Sequence, residues 1–226
     1  MSIADPSPLT CPDCGASTQV KTVHSINADR APGYRQAILD GDLQRVSCPS
    51  CEASLRVEPS LTYVDEARGL WIRAWPLGAL PEWEALEAET LMDFERLYRG
   101  GAPRMVRDLG ERLSTRITFG WAGLREKLLC DAHDIDDATL ELVKMRAMRA
   151  SSALYVDEDL TLRLSEVLDD ALLFVWLEGP AEEVLEPLAV PLRWLEEIEA
   201  RPMDWNRARH SISGGPFVDL NRAPVA

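Results

Sequence analysis

Hydrophobic and polar residues alternate with two different periods along this chain, and the change of period outlines its elements. From Thr18 to Val23, and again from Leu43 to Ser47, β-branched and apolar positions favour strands. Between them "APGYRQAILDGD" reads as a short helix closed by Gly41. "ASLRVEPSLTYVD" and "GLWIRAWP" are strand-like runs joined by the turn "DEARG". In "LWIRAW", Trp71, Arg73 and Trp75 take one face and Leu70, Ile72 and Ala74 the other, so both faces are largely apolar. One face needs cover from outside a small sheet, and the helices after Pro81 are the expected source.

Pro76, Gly78 and Pro81 break this pattern, which predicts a division at residues 79/80. Beyond it the period lengthens. Residues 82–99 carry a helical stripe through Trp83, Leu86, Thr90, Phe94 and Leu97, and a second helix is expected from Pro103 to Leu113. "RITFGW" reads as a short strand or turn, followed by a helix from Ala122 to Cys130. Asp136 is placed to N-cap a helix running to about Ala150. Strands "LTLRLSEV" and "ALLFVWLEG" and a helix from Pro191 to Arg201 follow, and the tail "SGGPFVDLNRAP" reads as a loop or short terminal strand. The expected fold class is α+β: residues 1–79 form a zinc ribbon-like antiparallel sheet with two cysteine turns, and residues 80–226 an acidic, helix-rich α+β domain.

Composition narrows the function classes. With 226 residues and 46% hydrophobic content, the chain can build a real core. The start "MSIADPSPLT" lacks a basic n-region, and the longest apolar stretch, Ala171 to Leu177, is far short of the ~20 residues of a membrane span. A chain with no leader or span and no need of disulfide staples is expected in the cytoplasm. Arginine (21) far outnumbers lysine (3), as in GC-rich bacterial genomes. The net charge is −14, with −2 in residues 1–79 and −12 in residues 80–226. Such a field repels phosphate backbones and anionic membranes, so generic nucleic acid is a disfavoured partner and a protein the favoured one.

The densest chemistry lies in "LTCPDCGAS" and "SCPSCEAS". Cys11-Pro12-Asp13-Cys14 has the letters of a glutaredoxin-type redox motif, but a redox CxxC opens a helix, and Gly15 to Val23 is polar and β-branched. The repeat at Cys48 and Cys51 is superfluous for redox work, whereas two tight turns presenting two thiolates each suit a tetrahedral zinc site. Cys11, Cys14, Cys48 and Cys51 are therefore the expected zinc ligands, ahead of a redox pair or incidental thiols. Four thiolates leave no open position for water, so the site is structural. Gly15 can take the left-handed conformation that closes the first turn; Glu52 occupies that place in the second, which predicts local strain.

"LTCPDCG", "HSINAD", "AILDGDLQRVSCPSC" and "LTYVDEARGLWIRAWP" resemble the CpXC family, bacterial proteins with paired CPxC motifs, and "GLREKLLCDAHDIDDATLELVKMRAM" is similar to the segment that follows in longer members. The resemblance runs over roughly residues 9–150. It implies a zinc-ribbon fold and a metal, and no particular activity.

Other candidates have plainer explanations. His24 beside Asp29 reads as a hydrogen-bonding surface group, Cys130 as a small buried hydrophobe despite the CxxH with His133, and "DIDD" and "LDD" as caps and turns. The sequence contains no phosphate loop, GxSxG or HExxH. The resulting expectation is a non-catalytic zinc-binding interaction or regulatory protein. A nucleic-acid or transcription-machinery adaptor is the alternative, resting on Arg30, Arg35, Arg45, Arg56 and Arg73; an enzyme would need a pocket built around His24 or His133.

Overall fold

The computed structural model describes residues 2–150, 160–179 and 181–222. The chain divides into two compact units. Unit 1 comprises Met1–Leu80 and Thr90–Trp121, and unit 2 comprises Pro81–Glu89 and Ala122–Ala226. Unit 1 thus draws on chain from beyond residue 80. Counted over these spans the sequence puts 13 acidic and 13 basic side chains in unit 1, so the whole net charge of −14 belongs to unit 2.

Unit 1 is built on a five-stranded sheet in the order β1 (Ile3–Thr10), β2 (Ser17–Asn27), β5 (Leu61–Asp65), β6 (Leu70–Trp75), β7 (Ser114–Phe119). The antiparallel expectation holds for β1–β2 and β5–β6, but β2–β5 and β6–β7 are parallel, so the sheet is mixed. The reason is the length of the connections. Between β2 and β5 lie helix α1 (Gly33–Leu39) and the hairpin β3 (Arg45–Ser47)–β4 (Ser54–Arg56); between β6 and β7 lie helices α2 (Trp83–Tyr98) and α3 (Arg104–Gly110). Connections of a dozen or more residues permit a crossover that a tight turn does not. Strand β1 has no counterpart in the sequence expectation. Pro6 and Pro8 share parity, so both can turn a donorless nitrogen to the free edge, which discourages further pairing there.

The apolar faces of β6 are covered as anticipated. Trp71 is buried and meets Phe94 of α2 edge-on, ring centroids 5.3 Å apart, with Leu113, Val64, Tyr98 and Leu109 packed around them. Gly110 permits this: a Cβ there would stand 2.5 Å from the Cβ of Tyr98. On the opposite face Ile72 and Ala74 are fully buried, and Arg35 of α1 reaches Tyr63 Oη (3.2 Å) and Asp65 (3.6 Å).

Unit 2 carries the antiparallel meander β8 (Leu160–Val167), β9 (Ala171–Glu178), β10 (Glu183–Pro191), with helices α4 (Gly120–Ala132), α5 (Asp137–Ala150), α6 (Arg193–Glu199) and α7 (Pro202–Ile212). Asp136 caps α5 as expected, its carboxylate accepting from the Thr139 N–H at 2.9 Å. Strand β10 and helix α7 were not expected from the sequence. Helix α5 is buried almost all round in its first half, Glu141 and Lys144 included. No helix among the described residues is long and apolar enough to cross a membrane.

Candidate metal centre

Two hairpins present the cysteines, and they do so by the same local device. In the β1–β2 turn the Cys11 N–H donates to Ala16 O (2.9 Å) and the Gly15 N–H to Cys11 O (2.9 Å). In the β3–β4 turn the Cys48 N–H donates to Ala53 O (2.8 Å) and the Glu52 N–H to Cys48 O (2.9 Å). Each closing residue is left-handed: Gly15 at φ +72° and Glu52 at φ +62°. The strain expected at Glu52 is therefore present, since a side chain is disfavoured in this region and glycine is not.

The turns bring all four sulfurs within 4.8 Å of one another. Cys11 Sγ lies 3.7 Å from Cys51 Sγ, and Cys14 Sγ 3.6 Å from Cys48 Sγ. Exchanging the two turns maps one pair onto the other, which gives the site an approximate two-fold arrangement. A tetrahedral metal with metal–sulfur bonds of about 2.3 Å needs sulfurs about 3.8 Å apart. The four thiols fit that cage closely. Cys11 and Cys48 are buried above Leu55, with Leu9, Ala16, Val46 and Ala53 packed against them, while Cys14 and Cys51 are exposed.

The electrostatics call for a cation. Backbone N–H groups of Ser50 and Cys51 pull the Cys48 thiol down to about 7 and so favour its thiolate. The Ala53 N–H does the same for Cys51, but the neighbouring sulfurs Cys14, Cys48 and Cys11, helped by desolvation, outweigh it and push Cys51 up to about 12. Thiolates this close cannot all ionise unless a positive charge joins them. Among the described residues this is the one gathering of histidine, cysteine and carboxylate side chains that could hold a metal ion.

The other sequence candidates do not assemble. His24 stands half-buried on β2 in unit 1, and His133 is exposed just after α4 in unit 2. Cys130 is buried within α4, where desolvation pushes its thiol up, away from nucleophilic behaviour. What sequence reasoning missed is a set of ionisable side chains buried in unit 2. Their one sequence signal is the charged pair Glu141 and Lys144 standing inside the apolar run "LELVKM".

A search of curated proteins and of solved structures finds no match to this chain. A family model described as CpXC protein matches residues 9–144, from just before the first cysteine to Lys144 of α5. With both cysteine turns inside a match that spans more than half of its length, the chain belongs to the CpXC family.

Proposed function

We propose that Cys11, Cys14, Cys48 and Cys51 hold one zinc ion that fixes two hairpins to each other, and that the protein works as a non-catalytic interaction or regulatory module with a protein partner in the cytoplasm. The observation that carries this reading is the closed cage: four thiols within 4.8 Å, backed by a small apolar cluster. An all-sulfur tetrahedral set favours zinc and leaves no coordination position for substrate or water. The cysteines supply the ligands, the N–H groups of Ser50 and Cys51 steady the Cys48 thiolate, and the ion supplies folding energy to hairpins too short to stand alone.

The adaptor reading receives less support. Arg35 is engaged by Asp65, Arg45 donates to Gly41 O, Arg56 stacks on Trp121 and Arg73 on Trp75. These four arginines serve the fold of unit 1, Arg30 is exposed, and the chain as a whole is strongly acidic. Elemental analysis of protein purified without added metal tests the proposal, with about one zinc per chain expected and no gain of iron. A reduced, folded protein with neither metal, unchanged by chelator, overturns it. Capture from the native host should yield a protein partner, and duplex DNA should bind negligibly at physiological salt.

A further inference from the structure

Seven ionisable side chains are buried together in unit 2: Glu126 and Lys127 of α4, Asp137, Glu141 and Lys144 of α5, Arg163 of β8, and Asp219 of the C-terminal segment. None is more than 8% exposed. Three cations face four carboxylates, and the distances show how they are shared. Lys127 Nζ lies 3.0 Å from Asp137, and Arg163 lies 2.5 Å from Asp219. Lys144 Nζ lies 2.6 Å from Glu126, which also takes Arg163 at 3.2 Å and the Leu164 N–H at 2.6 Å. Glu141 is left with a share of Lys144, at 2.7 Å, and with the Leu220 N–H, at 3.1 Å. Among the described residues its one ion pair, with Lys144, is shared with Glu126, which has Arg163 as well.

The same cluster grips the end of the chain. Lys127 donates to Val218 O at 2.7 Å, Arg163 holds Asp219, and Glu141 takes the Leu220 N–H. At the margin, Glu87 accepts from the Phe217 N–H at 2.9 Å and pairs with Arg222, while Phe217 packs on Trp83 with centroids 5.5 Å apart. Phe217, Val218 and Asp219 are almost wholly buried. A segment read from sequence as a loop or short terminal strand is thus seated in a charged slot.

We propose that Glu141 is a proton-binding site coupled to this segment: unit 2 holds residues 217–222 most tightly when Glu141 carries a proton, and the grip slackens as the proton leaves. The groups facing Glu141 are Lys144 from its own helix, Glu126 and Lys127 from α4, Arg163 from β8 and Asp219 from the C-terminal segment. Helices α6 and α7 engage α5 through Arg146 with Glu197 and Asp136 with Arg209. With every group ionised the cluster is one negative charge in excess, and a proton on Glu141 neutralises it. Burial, with Asp219 and Glu126 opposing the pull of Lys144, raises the Glu141 carboxyl to about 7. Asp219, held by Arg163 against the cost of burial, is lowered to about 2 and stays ionised throughout.

A carboxyl whose folded pKa is raised from 4.5 to about 7 adds stability that is fully present below pH 4.5 and lost as pH rises towards 7. Hydrogen exchange at the amides of residues 217–220, corrected for its intrinsic pH dependence, tests the coupling in the full-length, metal-loaded chain. Opening should increase several-fold between pH 5 and 7 and level off above it. Glu141→Gln should flatten that rise. If the variant does not fold, carbon-13 NMR of glutamate carboxyls in the unaltered protein reads the same site, and one resonance should titrate near neutrality. Exchange that stays constant from pH 5 to 7, or all glutamates titrating below pH 5, overturns the proposal.

Discussion

Each unit of this protein concentrates anionic groups in one small volume, and the two differ in where the balancing charge comes from. In unit 1 four thiols converge at distances that a metal ion could bridge, and on the proposed reading that ion is the balancing cation. In unit 2 four carboxylates converge with Lys127, Lys144 and Arg163, so the chain supplies its own. On that reading the first arrangement makes stability depend on metal supply. The second makes it nearly self-contained, apart from the single carboxylate in excess. Sulfur at close range suits a soft cation with fixed bond lengths, while carboxylates accept the spread of geometry that side-chain cations offer.

Breaking the metal cage should give the largest effect. Cys48→Ser removes a buried ligand, and the apparent metal contribution in small structural sites is about 10–16 kcal/mol near neutral pH. The variant should retain well under one zinc per chain, and amide exchange in β3 and β4 should lose its protection. Unit 2 should keep its own protection, because its charges are balanced from within. A Cys48→Ser protein with full metal content would dismantle the comparison from the side of unit 1.

Removing an internal cation is the corresponding test in unit 2. Arg163→Ala leaves Asp219 and Glu126 short of positive charge at buried positions. Taking one partner from a buried ion pair costs roughly 3–5 kcal/mol. Denaturant unfolding should register a loss of that order, with zinc content unchanged. A loss below about 1 kcal/mol would place the cluster among weak surface pairs and contradict its burial.

The two sites were unequally legible for a physical reason. Metal ligands have to be grouped on tight turns, so CPxC pairs stand out as local strings even 33 residues apart. The partners in unit 2 come from two helices, a strand and a terminal segment, and each looks alone like a charge on a wet surface. The edge strands were hidden differently. Pro6 and Pro8 in β1, and Pro187 with Glu183 and Glu186 in β10, are what an edge needs in order to stay unpaired, and in sequence they read as breakers. Burial of Trp71 and the cap at Asp136 could be read ahead because each follows from spacing alone. The parallel pairing of β2 with β5 could not, since it depends on how a 33-residue crossover packs.

The smallest expected effect separates backbone from metal within the cage itself. Gly15 and Glu52 occupy equivalent places in two turns that share the same hydrogen bonds, at φ +72° and +62°. The turns thus differ in side chain and hardly at all in geometry. A Cβ at Gly15 would meet nothing within 4 Å, so putting a side chain there probes backbone preference without a clash. Glu52→Gly relieves the left-handed penalty of about 1–2 kcal/mol, but it also gives the unfolded chain more freedom to lose. The net gain should be about 0.5–1 kcal/mol. Because the second turn has to form for metal to bind, that gain should appear as zinc held roughly two- to fivefold more tightly against a chelator. Gly15→Glu should weaken it by a similar factor. If both substitutions leave the affinity unchanged, the ion dictates the turn conformation and not the reverse, and the cage in unit 1 would be as indifferent to its scaffold as a free tetrathiolate.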